Sequence, residues 1–269
     1  MAERVGLRAT GLPAWLRALL PALVILAVQA ILFPIHDAPG MYLQGLILGM
    51  LGALVAMGMG LIYRANRILN FAQSDLGLVP TVLAVNLIVF SGLNYFLAVT
   101  AGLLAAVVLG GAIELAIIRR FFKAPRLILT VDTIGLSQLL TVGALLVPRI
   151  WGQEPTTKDI RFPSDFSFEV HPLTFRADHV LALILAPMAM LIVAWFLGRT
   201  NLGIGIRASA ESADRAALLG VPVKHLQTVV WAMGTVLSFI GVFLRAGAVG
   251  LPLINQVSYR ALLAALAAL

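Results

Sequence analysis

The sequence predicts an all-α fold: a polytopic integral membrane helical bundle of about seven complete transmembrane helices plus part of an eighth. Three observations lead there. Of 269 residues, 61% are hydrophobic and 12% charged, where a soluble domain carries about 25% charge, and the mean hydropathy is +1.00. Apolar runs of bilayer-spanning length recur along the chain. Lys and Arg collect on alternate connections between those runs. So apolar a chain excludes a soluble enzyme, because too few charged groups remain to cover a surface in water. It is read as a single transmembrane domain over residues 1–269.

The first span is predicted over residues 14–35, within an N-terminal extra segment of residues 1–40. Arg4, Arg8 and Arg17 precede an apolar run to Pro34, too long for a signal-peptide core of about 7–15 residues and without a clean cleavage site. The second span covers residues 41–63, where Gly45, Gly49 and Gly52 have small-residue spacing for close helix contact. It ends at Arg64-Ala-Asn-Arg67. The third and fourth spans, residues 76–90 and 95–118, are joined by the turn Ser91-Gly-Leu-Asn94. After the basic run Arg119-Arg-Phe-Phe-Lys-Ala-Pro-Arg126 comes the fifth span, residues 127–147. A polar segment with three prolines, residues 148–178, leads to the sixth span, residues 180–197; a second polar segment, residues 199–227, leads to the seventh, residues 228–249. The last ten residues, 260–269, are apolar without a polar end and reach only about 15 Å as helix. They are expected to start an eighth span that continues beyond the sequence; a short interfacial helix is the alternative reading.

With the N-terminus inside, 13 of the 19 basic residues fall on inner segments and four on outer ones. That split orients the chain. Residues 148–178 become an external loop and residues 199–227 a cytoplasmic one. The net charge of +7 then reports loop anchoring and not a nucleic-acid partner. Without cysteine there are no disulfides, thiolate nucleophiles or Cys-ligated metals. Walker A, G-x-S-x-G and H-E-x-x-H patterns are absent, and His36, His171, His179 and His225 are scattered over different segments as loop or interface residues.

Three carboxylates fall at or inside spans, where a charge costs at least about 2.5–3.5 kcal/mol at mid-depth. Glu114 is expected to form a local ion pair with Arg119 or Arg120. Asp75, after Asn70-Phe-Ala-Gln-Ser74, suits the N-terminus of the third span, where an anion is favoured. Asp132, beside Thr130 and Thr133, serves either as a structural partner of the basic run or as a pathway residue. Asn70, Gln73, Asp75 and Asp132 are the candidate pathway residues, because amide-rich polarity interrupts the apolar pattern there.

The stretch from Arg207 to Gly220 predicts one cytoplasmic helix, with Arg207–Glu211 and Glu211–Arg215 at i,i+4 and Gly220 as its stop. Its other positions, apart from Asp214 and Leu218, are mostly small. Such a helix suits a subunit that passes motion to an ATPase; an ordinary amphipathic linker reads the same way.

From about Gln44 onward several blocks follow in order: Ile68-Leu-Asn-Phe-Ala-Gln73, Glu114, Thr133-Ile-Gly-Leu-Ser137, Thr200-Asn-Leu-Gly-Ile-Gly-Ile-Arg-Ala208, Ala216-Ala-Leu-Leu-Gly-Val-Pro222 and Ala246-Gly247. In these blocks, and in their order, the chain resembles the permease subunits of branched-chain amino acid ABC transporters, the Liv-type family. Departures are Ser74 where glycine is common and Leu115 where arginine follows the glutamate. The resemblance implies a non-catalytic subunit of a bacterial inner-membrane importer for branched-chain amino acids or related amino acids, amides or urea. It implies no cofactor on this chain, with ATP-Mg on a partner. It also implies two ATP-binding subunits, a second permease and an extracytoplasmic solute-binding protein as partners, with Arg207, Glu211, Asp214, Arg215, Leu218 and Gly220 in the segment that docks on the ATPase. The rival reading is an ion-coupled secondary transporter using Asp75 and Asp132. A membrane-embedded enzyme has no constellation to support it.

Overall fold

A computed structural model describes residues 39–120, 126–153, 160, 162–164 and 166–250. Helix α1 (Pro39–Asn66) is followed by α2 (Gln73–Val89) and α3 (Tyr95–Ile113), which continues through one π-helical turn, Glu114–Ile118. Helix α4 (Arg126–Leu146) runs into a 3₁₀ turn, Val147–Trp151. A two-stranded antiparallel hairpin, β1 (Ser167–Val170) and β2 (Leu173–Arg176), pairs Phe168 with Phe175. Helices α5 (Ala177–Arg199), α6 (Asn201–Glu211), α7 (Ala213–Leu218) and α8 (Val223–Val249) complete the described chain.

Five of these segments are long and apolar enough to cross a membrane, and α2 adds a shorter apolar helix of 17 residues. They match the second to seventh expected spans. The expected first span, the partial eighth and most of the basic run after Arg120 lie outside the described residues. Inside the outer polar segment the structure adds the hairpin, an element missing from an all-helical reading. Alternation over four-residue strands is too short a signal to stand out among three prolines.

Helix α8 is the axis of the bundle, packed against α1, α2 and α3 and flanked by α5 and α6. Trp231 and Leu237 from α8 share one buried cluster with Leu54 and Ile62 of α1 and Leu76 of α2, while Phe239 lies in a second with Ala84 and Val85 of α2 and Ala106 of α3. Lipid solvates apolar side chains as well as protein does, so helices associate through close packing and hydrogen bonds. Two glycines supply the approach. A Cβ at Gly77 would lie 2.3 Å from the carbonyl carbon of Ser238, and one at Gly58 would lie 2.9 Å from Gly234 O. Gly45, Gly49 and Gly52, expected to make such contacts, make none among the described residues: a Cβ at any of them meets nothing of those within 4 Å. The inward stripe of α1 is Ile47, Leu51, Leu54, Gly58 and Ile62, and Gly45 is two residues, about 200° of helix rotation, away from Ile47.

Hydrogen bonds between segments define two ends. At one end Gly40 N–H donates to His171 O (2.9 Å), Phe162 N–H to Asp178 Oδ1 (2.9 Å) and Trp151 Nε1–H to Ser91 Oγ (2.9 Å). At the other, Arg67 Nη2 donates to Ala210 O (2.8 Å) and Arg119 Nη2 to Lys224 O (3.2 Å). Successive long helices therefore run in opposite directions.

The single helix expected from Arg207 to Gly220 is corrected to two. Ser212 adopts an extended conformation (φ −156°, ψ 106°), ends α6 and caps α7 by accepting the Arg215 N–H at 3.4 Å. Serine favours this role because its short hydroxyl replaces the missing backbone acceptor at a helix start. The break puts Glu211 and Arg215 on different helices. Among the described residues neither Arg207–Glu211 nor Glu211–Arg215 forms a salt bridge; Arg119–Glu114 does.

Candidate functional site

The connection between α1 and α2 leaves regular structure at Arg67, whose φ is +56°, and regains it at Gln73. Enclosed non-helical backbone needs partners for its polar groups, and several groups of this connection have them. Asn70 Oδ1 accepts the Ala72 N–H (3.1 Å), Asn70 O accepts the Gln73 N–H (3.3 Å), and Thr133 Oγ1 on α4 accepts the Phe71 N–H (3.1 Å). The Thr133 hydroxyl also lies 2.7 Å from Thr130 O and 3.3 Å from Leu69 O.

Asn70 and Gln73, both expected among the candidate pathway residues, are brought together and are fully buried. Asn70 Nδ2 donates to Gln73 Oε1 (3.0 Å), while Gln73 Nε2 donates to Gly234 O (2.9 Å) and to Ser238 Oγ (2.7 Å) on α8. The Gln73 amide thus spends both of its N–H donors on α8. Each such bond contributes about 0.5–1.5 kcal/mol net, whereas a buried partner left unsatisfied costs about 1–3 kcal/mol.

Asp75 lies in the first turn of α2, where the helix dipole favours an anion. Its side chain crosses to α4, where Oδ2 accepts a hydrogen bond from the Ser137 hydroxyl; the N-cap position itself is Ala72, with no side-chain cap. Asp132 does not join this cluster. Its Oδ2 is buried without a hydrogen-bond partner among the described residues, and residues 121–125 of the basic run lie outside them. From α4, Thr133 instead faces the α1–α2 connection and Ser137 faces α2. Sequence reasoning quoted both without giving them a role, although their i,i+4 spacing places them on one helix face.

Glu114 forms the local pair expected of it, with Arg119 and not Arg120. Arg119 Nε and Nη2 donate to Oε1 (3.2 Å) and Oε2 (3.0 Å), and the Thr228 hydroxyl at the start of α8 adds 2.7 Å to Oε2. The π turn makes this possible. Its Arg119 N–H to Glu114 O bond (2.8 Å) brings the fifth residue on over the first.

The second cluster is the connection from α5 to α8. Thr200 closes its first corner, donating to Phe196 O (2.7 Å) and accepting the Gly203 N–H (3.0 Å). Ile206 and Ala216 anchor α6 and α7 in the bundle, while Arg207, Glu211 and Arg215 are exposed; the Asp214 side chain lies outside the description. Gly220, at φ +83°, stops α7: its N–H meets Ala217 O (3.0 Å) and the Val221 N–H meets Ala216 O (3.0 Å), the paired bonds of a Schellman end. Leu218 and Leu219 are held outward there, 87% and 85% exposed. Among the described residues no three His, Asp or Glu side chains converge as a metal site.

A family model described as "Branched-chain amino acid transport system / permease component" matches residues 41–268. The chain is 24% identical over 220 residues to the high-affinity branched-chain amino acid transport system permease protein BraD of Pseudomonas aeruginosa, covering 76% of this chain and 70% of that one. It is 26% identical over 212 residues to LivH, the permease protein of the same name in Escherichia coli, covering 73% and 67%; LivH of Salmonella typhimurium is 25% identical over 212 residues. No solved structure matches the chain significantly.

Proposed function

The chain belongs to the family of permease components of branched-chain amino acid transport systems, and from that premise we propose how this ABC importer subunit works. It moves branched-chain amino acids or related small polar solutes inward across a bacterial inner membrane. ATP-Mg is bound and hydrolysed on two partner subunits, a second permease completes the membrane part, and an extracytoplasmic binding protein delivers solute. The Arg67 end is cytoplasmic. Arg64, Arg67, Arg119, Arg120, Arg126, Arg199, Arg207, Arg215 and Lys224 belong to that end, against Arg149, Arg176 and Arg245 toward the hairpin end. The hairpin and the 3₁₀ turn then face the binding protein.

One observation carries the coupling assignment: two adjacent leucines stand almost fully in solvent on a turn fixed by Gly220. An apolar pair presented this way beside Arg207, Glu211 and Arg215 fits a groove on another protein, apolar at its centre and charged at its rim. Asn70, Gln73, Asp75 and Asp132 belong to the solute pathway in this reading. Asn70 and Gln73 act as a gate, because their amides are closed on α8 and solute passes only when that set opens. Replacing Leu218 and Leu219 together by serine is expected to remove the ATPase subunits from the detergent-purified complex and to abolish uptake. Undiminished co-purification with normal solute-stimulated ATP hydrolysis would end the assignment. The ion-coupled reading gives no role to this turn; it requires uptake to stop with an uncoupler and to persist when ATP is depleted at constant membrane potential.

A further inference from the structure

We propose that Arg67 is the positioning residue that ties the ATPase-docking segment to the buried Gln73 cluster, and so transmits the movement of one to the other. The inference rests on the docking role assigned to residues 199–227. Arg67 sits on a backbone with φ +56°, a conformation that favours glycine and disfavours a bulky side chain. The local cost is offset by what the side chain reaches. Its Nη2 donates at 2.8 Å to Ala210 O, 143 residues away in sequence. Ala210 is the penultimate residue of α6, so its carbonyl is one of the last four without an intrahelical donor. A cation there also meets the negative end of the helix dipole.

The other end of the tie is the α1–α2 connection. Three residues beyond Arg67, Asn70 holds the Gln73 amide that binds Gly234 and Ser238 of α8, and Thr133 holds the Phe71 N–H from α4. The connection is therefore gripped by α6, α4 and α8 at once. Displacing α6 pulls Arg67, and through six residues of chain it pulls the start of α2 against α8. Packing of α6 on α5 and α8 keeps the docking segment in place without Arg67. The tie serves transmission and not assembly.

The test uses the complete transporter, reconstituted in liposomes with its ATPase subunits, second permease and binding protein, and reads leucine taken up per ATP hydrolysed. Arg67→Gly suits the left-handed backbone and removes only the tie. It is expected to lower that ratio about fivefold or more while ATPase co-purification and ATP hydrolysis stay within about twofold of wild type. Arg67→Lys, which keeps a donor at similar reach, is expected to recover much of the loss. Because the chain has no cysteine, Arg67→Cys with Ala210→Cys can be bridged by a short bismaleimide. Bridging is expected to restore coupling, whereas a monofunctional maleimide is not. A wild-type ratio in Arg67→Gly, loss of ATPase binding in that variant, or no rescue on bridging would each overturn the proposal. Failure of the docking assignment is distinct: the ATPases would then bind undiminished when Leu218 and Leu219 are serine.

Discussion

Helices α8 and α5 are both long enough to cross a bilayer, and the less apolar of the two is the buried one. Helix α8 carries Gln227, Thr235 and Ser238 inward, along with Gly234 and Gly241, and most of its length is enclosed. Helix α5 turns Ile184, Leu191 and Trp195 outward and buries little besides Ala182, Ala186 and Val193 along its span. In water the order would be reversed, because the most apolar helix would be driven to the core. In lipid an exposed leucine costs nothing, whereas a serine or glutamine needs a partner. Polar and small residues therefore mark the interior.

The comparison breaks most visibly where α2 meets α8. Gly77→Leu places a side chain where even a Cβ lies 2.3 Å from the Ser238 carbonyl carbon, and is expected to cost about 3 kcal/mol of overpacking. Size-exclusion chromatography in detergent should show loss of the monodisperse protein; an unchanged profile and melting midpoint would mean that the seam is looser than described. Gln73→Leu removes the donors to Gly234 and Ser238 at similar volume, leaves Asn70 Nδ2 without its acceptor, and is expected to cost about 2 kcal/mol. A melting midpoint lower by several degrees checks the stability effect. Altered uptake kinetics in the complete transporter would support the gate, and unchanged kinetics in both Gln73→Ala and Asn70→Ala would remove it. Leu191→Ala on α5 is expected to change stability by less than about 0.5 kcal/mol. A larger loss would show that this face meets protein and not lipid.

How much of this was legible depended on the distance over which each feature is determined. Apolar runs and their charged ends are local, so the described crossings fell close to their expected positions, and Glu114 found its cation five residues on. Gly45 and Gly49 meet no neighbour among the described residues, because spacing along one helix identifies a face without saying what it meets. The predicted helix through Ser212 misled because i,i+4 charge pairs and a serine cap compete over the same residues, and the cap prevailed. Thr133 and Ser137 passed without a role because their partners lie more than 60 residues away.

By itself the sequence determined that this chain is a multi-pass helical membrane protein. Hydrocarbon thickness sets the length of an apolar run, and charge cannot follow it inside. It also determined the family, through blocks of residues kept in order. Only the tertiary structure decided that α8 is the axis, that Gln73 locks α2 to it, and that Arg67 reaches a carbonyl 143 residues away. Which helix faces meet depends on rotation and approach, and those are set by where a glycine lets two backbones touch and where a buried amide finds its partner.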